Sequence, residues 1–193
     1  MLRRNLLAAL AALFLAPVAA LASDPPAGAP VLEIDVAGVA NGTIRVALRP
    51  DLAPQHVARI VALAESGAYD NVVFHRVIDG FMAQTGDVQF GRADGDTARA
   101  GMGGSDLPDL PGEFTGEPFE RGTVGMARSQ DPNSANSQFF IMFEPAPHLN
   151  GSYTVFGQVT EGMECIDKIK RGGGANGMVS DPDKIIKMEV VEK

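Results

Sequence analysis

Apolar and polar side chains begin to alternate at Val31. In VLEIDV, Leu32, Ile34 and Val36 alternate with Glu33 and Asp35, and in TIRVAL, Ile44, Val46 and Leu48 alternate with Thr43 and Arg45. A period of two sends the apolar set to one face, so these segments predict two half-buried strands. Asn41-Gly42 between them favours positive φ and predicts a hairpin turn. After Pro54 the period lengthens. Val57, Ile60, Val61 and Ala64 fall at helical spacing and Gly67 stands where a helix would stop, which predicts a helix over 54–66. Strand patterning returns in VVFHRVI (72–78) and FMAQTG (81–86), separated by Asp79-Gly80, a second hairpin signal. From 91 to 118 the period dissolves into Gly, Pro and Asp, a long surface excursion of the kind that often carries function. Short apolar strands follow at 123–127, 138–143 and 153–159. Val159, Met163 and Ile166 suggest a second helix ending near Gly172. Ile186, Met188 and Val190, alternating with Lys187 and Glu189, predict a final strand.

Many short strands and two helices, without regular strand–helix alternation, predict a mainly β, antiparallel architecture. A barrel or sandwich closed by helices is expected, and a doubly wound sheet is not.

The N-terminus follows another pattern. Arg3 and Arg4 precede an uncharged apolar stretch from Leu6 to Leu15, followed by Pro17 and Ala20-Leu21-Ala22. A positive end, a short apolar core and an A-x-A ending predict a secretory signal over residues 1–22, cleaved after Ala22. The core is short for a membrane span of about 20 residues, so no stable insertion is expected once the signal is removed. Residues 23–30 (SDPPAGAP) read as a flexible leader, and 31–193 as the folded domain. Export to a bacterial periplasm is the expected destination.

With 193 residues, 45% hydrophobic and 21% charged, the chain suits one domain with a sizeable core, and a monomer is expected. Its net charge is −8, which becomes −10 on loss of Arg3 and Arg4, so a nucleic-acid partner held through phosphates is not expected. Cys165 has no second cysteine to pair with and reads as a small buried hydrophobe on a helix. His56, His75 and His148 show no zinc-site spacing; no metal and no cofactor is expected, and His75 reads as a buried structural histidine. Gly172-Gly173-Gly174 lacks a following G-K-[S/T] and reads as a flexible connection.

The most informative stretch is Phe74-His75-Arg76-Val77-Ile78-Asp79-Gly80-Phe81-Met82-Ala83-Gln84-Thr85-Gly86-Asp87. Further blocks follow in order: Arg121 to Arg128 (RGTVGMAR), Asn136 to Ile141 (NSQFFI), Leu149-Asn150-Gly151 and Val155 to Val159 (VFGQV). Together they resemble the cyclophilins, whose signature runs approximately F-H-R-x-I-x-G-F-M-x-Q-x-G-D, and the resemblance covers residues 31–191. It implies a closed antiparallel β-barrel of about eight strands capped by two α-helices. It also implies a peptidyl-prolyl cis-trans isomerase that assists the folding of exported proteins and takes proline-containing polypeptide segments as partners.

By the same resemblance Arg76 is the catalytic arginine. Phe81, Met82, Gln84, Phe140 and Leu149 line the proline-binding groove and its rim. Ala127, Arg128 and Ser129 hold the substrate segment before proline, and Gln138 is a further polar groove residue. His148, also counted among the substrate-binding residues, falls where many cyclophilins have a tryptophan that helps to bind cyclosporin, so weak binding of that drug is expected.

These residue types suit the chemistry in their own right. A peptide bond resists rotation by about 18–20 kcal/mol because its nitrogen lone pair is delocalised into the carbonyl. A guanidinium, always charged and rigid, can hydrogen-bond the prolyl nitrogen as it becomes pyramidal, or hold the adjoining carbonyl. No nucleophile or general base is required. Taken singly, Arg76 is also compatible with a surface charge, and the phenylalanines and Met82 with ordinary core. Alternation puts Phe139 and Phe140 on opposite faces, one core and one groove. A non-catalytic peptide-binding module or chaperone could use the same groove. A Ser/His/Asp hydrolase is disfavoured because no G-x-S-x-G elbow is present.

Overall fold

The computed structural model describes residues 22–192, so the expected signal segment, Ala22 apart, lies outside the described residues. Eight strands and two helices follow in the order β1 (Val31–Ala37), β2 (Gly42–Leu48), α1 (Pro54–Glu65), β3 (Arg76–Ile78), β4 (Met82–Thr85), β5 (Thr123–Met126), β6 (Phe139–Met142), β7 (Val155–Glu161), α2 (Met163–Ile166) and β8 (Lys184–Glu192). The strands form one antiparallel sheet in the order β3-β4-β6-β5-β7-β2-β1-β8.

That sheet is a curled half-barrel, not the closed barrel expected from the resemblance. Its end strands β3 and β8 do not share a ladder. The residues before β3 meet β8 through the single bridge Val73–Lys184 and the bonds Asn71 N–H to Ile185 O and Ile185 N–H to Val72 O. For the same reason the strand expected over 72–78 shrinks to 76–78. Val73 and Phe74 donate to Gly91 O and Asp183 O, which belong to loops.

The alternating strands behave as their patterns require. Leu32, Ile34, Val36, Ile44, Val46 and Leu48 are buried in one cluster with Phe139, Ile141, Phe156 and Met188. Against it lies α1, which packs on β8 and β7. Pro54 opens the helix where its missing N–H costs nothing, and Gly67 at φ 70° follows its end. His56, Val57, Ile60, Leu63 and Ala64 form the buried face. Each large apolar side chain so removed from water contributes about 1.5–3 kcal/mol.

Two predicted boundaries move. The second helix is only Met163–Ile166, because β7 extends to Glu161 and Gly162 at φ 86° separates the two elements. Cys165 lies on it, buried, and burial pushes its thiol pKa up. The β1–β2 turn is a four-residue loop rather than a tight Asn-Gly turn: Val36 pairs with Gly42, and Asn41 Nδ2 donates to Gly38 O at 2.8 Å.

Candidate functional site

The β3–β4 hairpin turns on Asp79-Gly80-Phe81, with Gly80 at φ 66° and Phe81 N–H returned to Ile78 O at 3.1 Å. This turn sets a register in which Arg76 faces Gln84 and Ile78 faces Met82. Across the next ladders Gln84 faces Phe140, and Phe140 faces Gly125. Directly opposed residues of antiparallel strands share a face. Arg76, Gln84, Phe140 and Gly125 therefore make one row across four strands, beside a second row of Ile78, Met82 and Met142. Phe139 and Ile141 point the other way, into the main core, whereas Phe140 and Met142 join a smaller cluster with Met82, Phe119, Ala146, Leu149 and Val155.

Gly125 gives this row its shape. A Cβ there would lie 2.6 Å from both Phe119 Cε1 and Phe140 Cζ. The missing side chain lets the Phe140 ring lie across the strand, stacked on Phe119 with centroids 5.8 Å apart and planes 22° from parallel. Above the ring opens an apolar recess of about 160 Å³, lined by Arg76, Phe81, Met82, Gln84, Phe140 and Leu149, with Ala127, Arg128 and Tyr153 at its side.

A line of hydrogen bonds fixes the arginine. Arg76 Nε donates to Asn176 O at 2.9 Å and Nη1 to Gln84 Oε1 at 3.1 Å. Gln84 Nε2 then donates to Gln138 Oε1 at 2.9 Å, and Gln138 Nε2 to Gly103 O at 2.8 Å. Each amide receives on its oxygen and passes on from its nitrogen, so the line has one direction and holds the half-buried guanidinium. The acceptor Asn176 O belongs to the loop after the glycine run. This loop is not the flexible connection expected: Gly172 N–H donates to Val77 O, Val77 N–H to Gly177 O and Val179 N–H to His75 O, so it lies against β3.

A second recess, of about 430 Å³, adjoins the first and shares Gln84, Ala127 and Arg128 with it. Ser129 and Gln138 line it, together with Asn136 and the stretch Gly101 to Ser105. Buried Asp87 organises that stretch. Its Oδ2 accepts from Gly101 and Gly103 N–H at 2.7 and 2.9 Å, and its Oδ1 from Phe90 N–H at 2.8 Å. His75 is buried beneath Gly101, where burial holds its imidazole below the usual range, so it is neutral at pH 7.

Eight of the eleven residues singled out from the sequence therefore meet in the apolar recess, and Ser129 and Gln138 line the second. His148 lies outside both. It is exposed on the Pro147–Leu149 turn and stacks on Phe81, with centroids 5.7 Å apart. Arg128 is turned toward the loop that precedes β7. Its Nη2 donates to Ser152 O at 2.8 Å, its Nη1 to Ser129 O at 2.9 Å, and its guanidinium covers the Tyr153 ring at 4.3 Å. Sequence reasoning missed Tyr153, Phe119, Gly125 and Asn176. The signal for Gly125 was a glycine inside an apolar strand, which marks a close approach; Asn176 O is a backbone group and has no side-chain signature.

Residues 31–190 match the family model described as "Cyclophilin type peptidyl-prolyl cis-trans isomerase/CLD". A Brucella suis protein named "Probable peptidyl-prolyl cis-trans isomerase" is 64% identical over 153 residues, 78% of each chain. A peptidyl-prolyl cis-trans isomerase of Arabidopsis thaliana is 37% identical, covering 86% of this chain and 72% of its own. Among solved structures, a Hirschia baltica cyclophilin superposes with a TM-score of 0.70 at 25% identity, covering 83% of this chain and 73% of its own. A Cryptosporidium parvum cyclophilin-type isomerase, crystallised in the presence of the dipeptide Ala-Pro, gives 0.72 at 27% identity over 84% and 99%. The signature read from Phe74 to Asp87, the recess it builds and the extent of these matches agree: the chain belongs to the cyclophilin-type peptidyl-prolyl cis-trans isomerase family.

Proposed function

We propose that the protein rotates X-Pro peptide bonds in exported polypeptides in a bacterial periplasm, acting as a monomer with Arg76 as its catalytic residue. The observation that carries this reading is a guanidinium held from two sides beside a small apolar recess floored by Phe140 and Met82. The proline ring occupies the recess, as the Ala-Pro dipeptide used with the Cryptosporidium relative suggests. The residues before proline run toward the second recess past Ala127 and Arg128, which line both.

Neither bond that fixes Arg76 uses Nη2. As the amide twists, its nitrogen lone pair localises and becomes an acceptor that the planar amide lacks. A donor placed for it binds the twisted state more tightly than either planar isomer, and only such differential binding lowers the barrier. The apolar floor excludes water that would compete for the same acceptor. No bond other than hydrogen bonds forms or breaks, so neither buried His75 nor buried Cys165 is needed.

The test is the cis-to-trans rate of an X-Pro peptide with the unsubstituted protein and with Arg76→Ala. Loss of one preorganised donor costs about 10²–10³-fold in rate at comparable sites. Peptide binding without acceleration by the unsubstituted protein would make the groove a binding module instead.

A further inference from the structure

We propose that the fold contains a receptor for its own mature N-terminus: the α-ammonium group of Ser23, released by cleavage after Ala22, completes a four-charge cluster with Glu117, Arg49 and Asp51. This rests on the cleavage position read from the sequence, not on the isomerase assignment.

Ser23 is bound at every polar atom it has. Its N–H donates to Glu117 Oε1 at 2.7 Å and its hydroxyl to Glu117 Oε2 at 2.6 Å. Arg49 donates from Nη1 to Ser23 O and from Nη2 to Ser23 Oγ, both at 2.9 Å. The receiving side chains are well covered, with 4% of Arg49 and 11% of Glu117 exposed. Arg49 is fixed in turn by Asp51, through Nε at 2.9 Å and Nη2 at 2.8 Å. The adjoining chain is anchored as well, since Leu48 N–H donates to Pro30 O at 2.8 Å. So much specific bonding at one residue is not what a Pro-rich leader requires.

The charges give the site its meaning. While Ser23 is an amide, the cluster holds one cation, Arg49, against two carboxylates, Asp51 and Glu117. Asp51 keeps much of its water, but Glu117 is covered and shares Arg49 with it, and a covered carboxylate without a cation of its own is costly. Cleavage turns the Ser23 nitrogen into a cation 2.7 Å from Glu117 Oε1 and balances the cluster at two against two. The hydrogen bond, until then charged only on its acceptor, becomes an ion pair charged on both sides. The other charged neighbour in the chain, Asp24, is exposed.

A free α-amine ordinarily titrates at about 7.7–8.0. Binding to Glu117 raises that value in the folded state. The added stability is therefore complete below about pH 7.7 and is lost as pH rises through the raised value. Neither Arg49, whose pKa is raised chiefly by its hydrogen bonds to Asp51, nor Asp51, lowered by the same bonds, titrates in that window.

The experiment uses the processed chain purified from an exporting host and the same chain carrying an Nα-acetyl group, each as the natural sequence and as Glu117→Gln. Mass measurement should place the first residue at Ser23; any other start overturns the proposal while leaving the isomerase assay untouched. At pH 7 the free-amine chain should melt about 2–4 °C above its acetylated form, the shift that gaining one favourable ion pair gives a chain of this length. The difference should vanish at pH 10 and in Glu117→Gln. Equal melting at pH 7, or a difference that survives Glu117→Gln, overturns it. Titration of the ¹⁵N-labelled Ser23 amine gives a readout free of mutation: a value above the ordinary range is expected, and one at or below it contradicts the proposal.

Discussion

Substituting Gly125 by Ala tests whether the groove depends on a missing side chain. Ideal geometry puts the new methyl carbon 2.6 Å from Phe119 Cε1 and Phe140 Cζ, and 3.0 Å from Phe140 Cε2. Carbon atoms in contact normally stay about 3.5–4.0 Å apart, so a ring must retreat by about 1 Å. Phe119 is 1% exposed and cannot move outward, which leaves Phe140 to shift into the recess. Alanine in a strand gains about 0.5–1 kcal/mol over glycine from lower chain entropy. Overpacking costs about 1–3 kcal/mol and outweighs that gain. The expected result is a net loss of about 1–2 kcal/mol in denaturant unfolding. A displacement near 1 Å at a site that positions substrate can cost about 10²-fold, so kcat/KM should fall by 10- to 100-fold, mostly through KM. Phe119→Leu in the same chain should recover part of both losses, because it empties space beneath the ring. Gly125→Ala with unchanged stability and full activity would show that Phe140 does not rest on Gly125 as described.

Three further outcomes are expected. Gln138→Leu leaves Gln84 Nε2 without its acceptor and frees the guanidinium to turn; the loss of about 1 kcal/mol of positioning should lower kcat by about fivefold with little change in KM, as single-turnover rates with a proline peptide will show. His56 donates from Nδ1 to Glu113 at 2.7 Å, and burial holds its imidazole below the usual value, as it does for His75, so stability should fall as pH drops below about 6.5; His56→Asn should roughly halve that slope in urea titrations between pH 5 and 7. Cyclosporin should bind far more weakly than nanomolar, and His148→Trp, which lays a larger ring against Phe81, should tighten it in a calorimetric titration.

How much of this was legible in the chain depended on how local its physics was. β1, β2 and β8 announce themselves because one face meets the core and the other meets water, so burial writes a period of two. β6 does not: Phe139, Phe140, Ile141 and Met142 are all buried, since the core lies on one side and the groove cluster on the other. The sign that Phe140 faces the groove came from the family signature, and its floor position depends on Gly125, which sits in another strand. The segment 72–78 misled for a related reason. Its apolar side chains are buried, but Val73 and Phe74 bond to loops that a sequence window cannot see. The excursion over 91–118 looked unstructured because its order comes from side chains outside it: buried Asp87 gathers N–H groups up to sixteen residues away, Asn136 bonds Ser105, Leu107 and Asp109, and His56 bonds Glu113. Likewise the leader gave no hint that Arg49 and Glu117 would converge on Ser23.

The central claim is that one fixed donor, Arg76, stabilises a twisted amide over an apolar floor. It is tested most directly by measuring kcat/KM for cis-to-trans isomerisation alongside equilibrium peptide affinity, with the natural protein and with Arg76→Ala. Acceleration by the natural protein is expected, with a loss of about 10²–10³-fold in the variant and a far smaller change in peptide affinity. A variant that retains full activity, or one that loses activity and affinity in equal proportion, would contradict it.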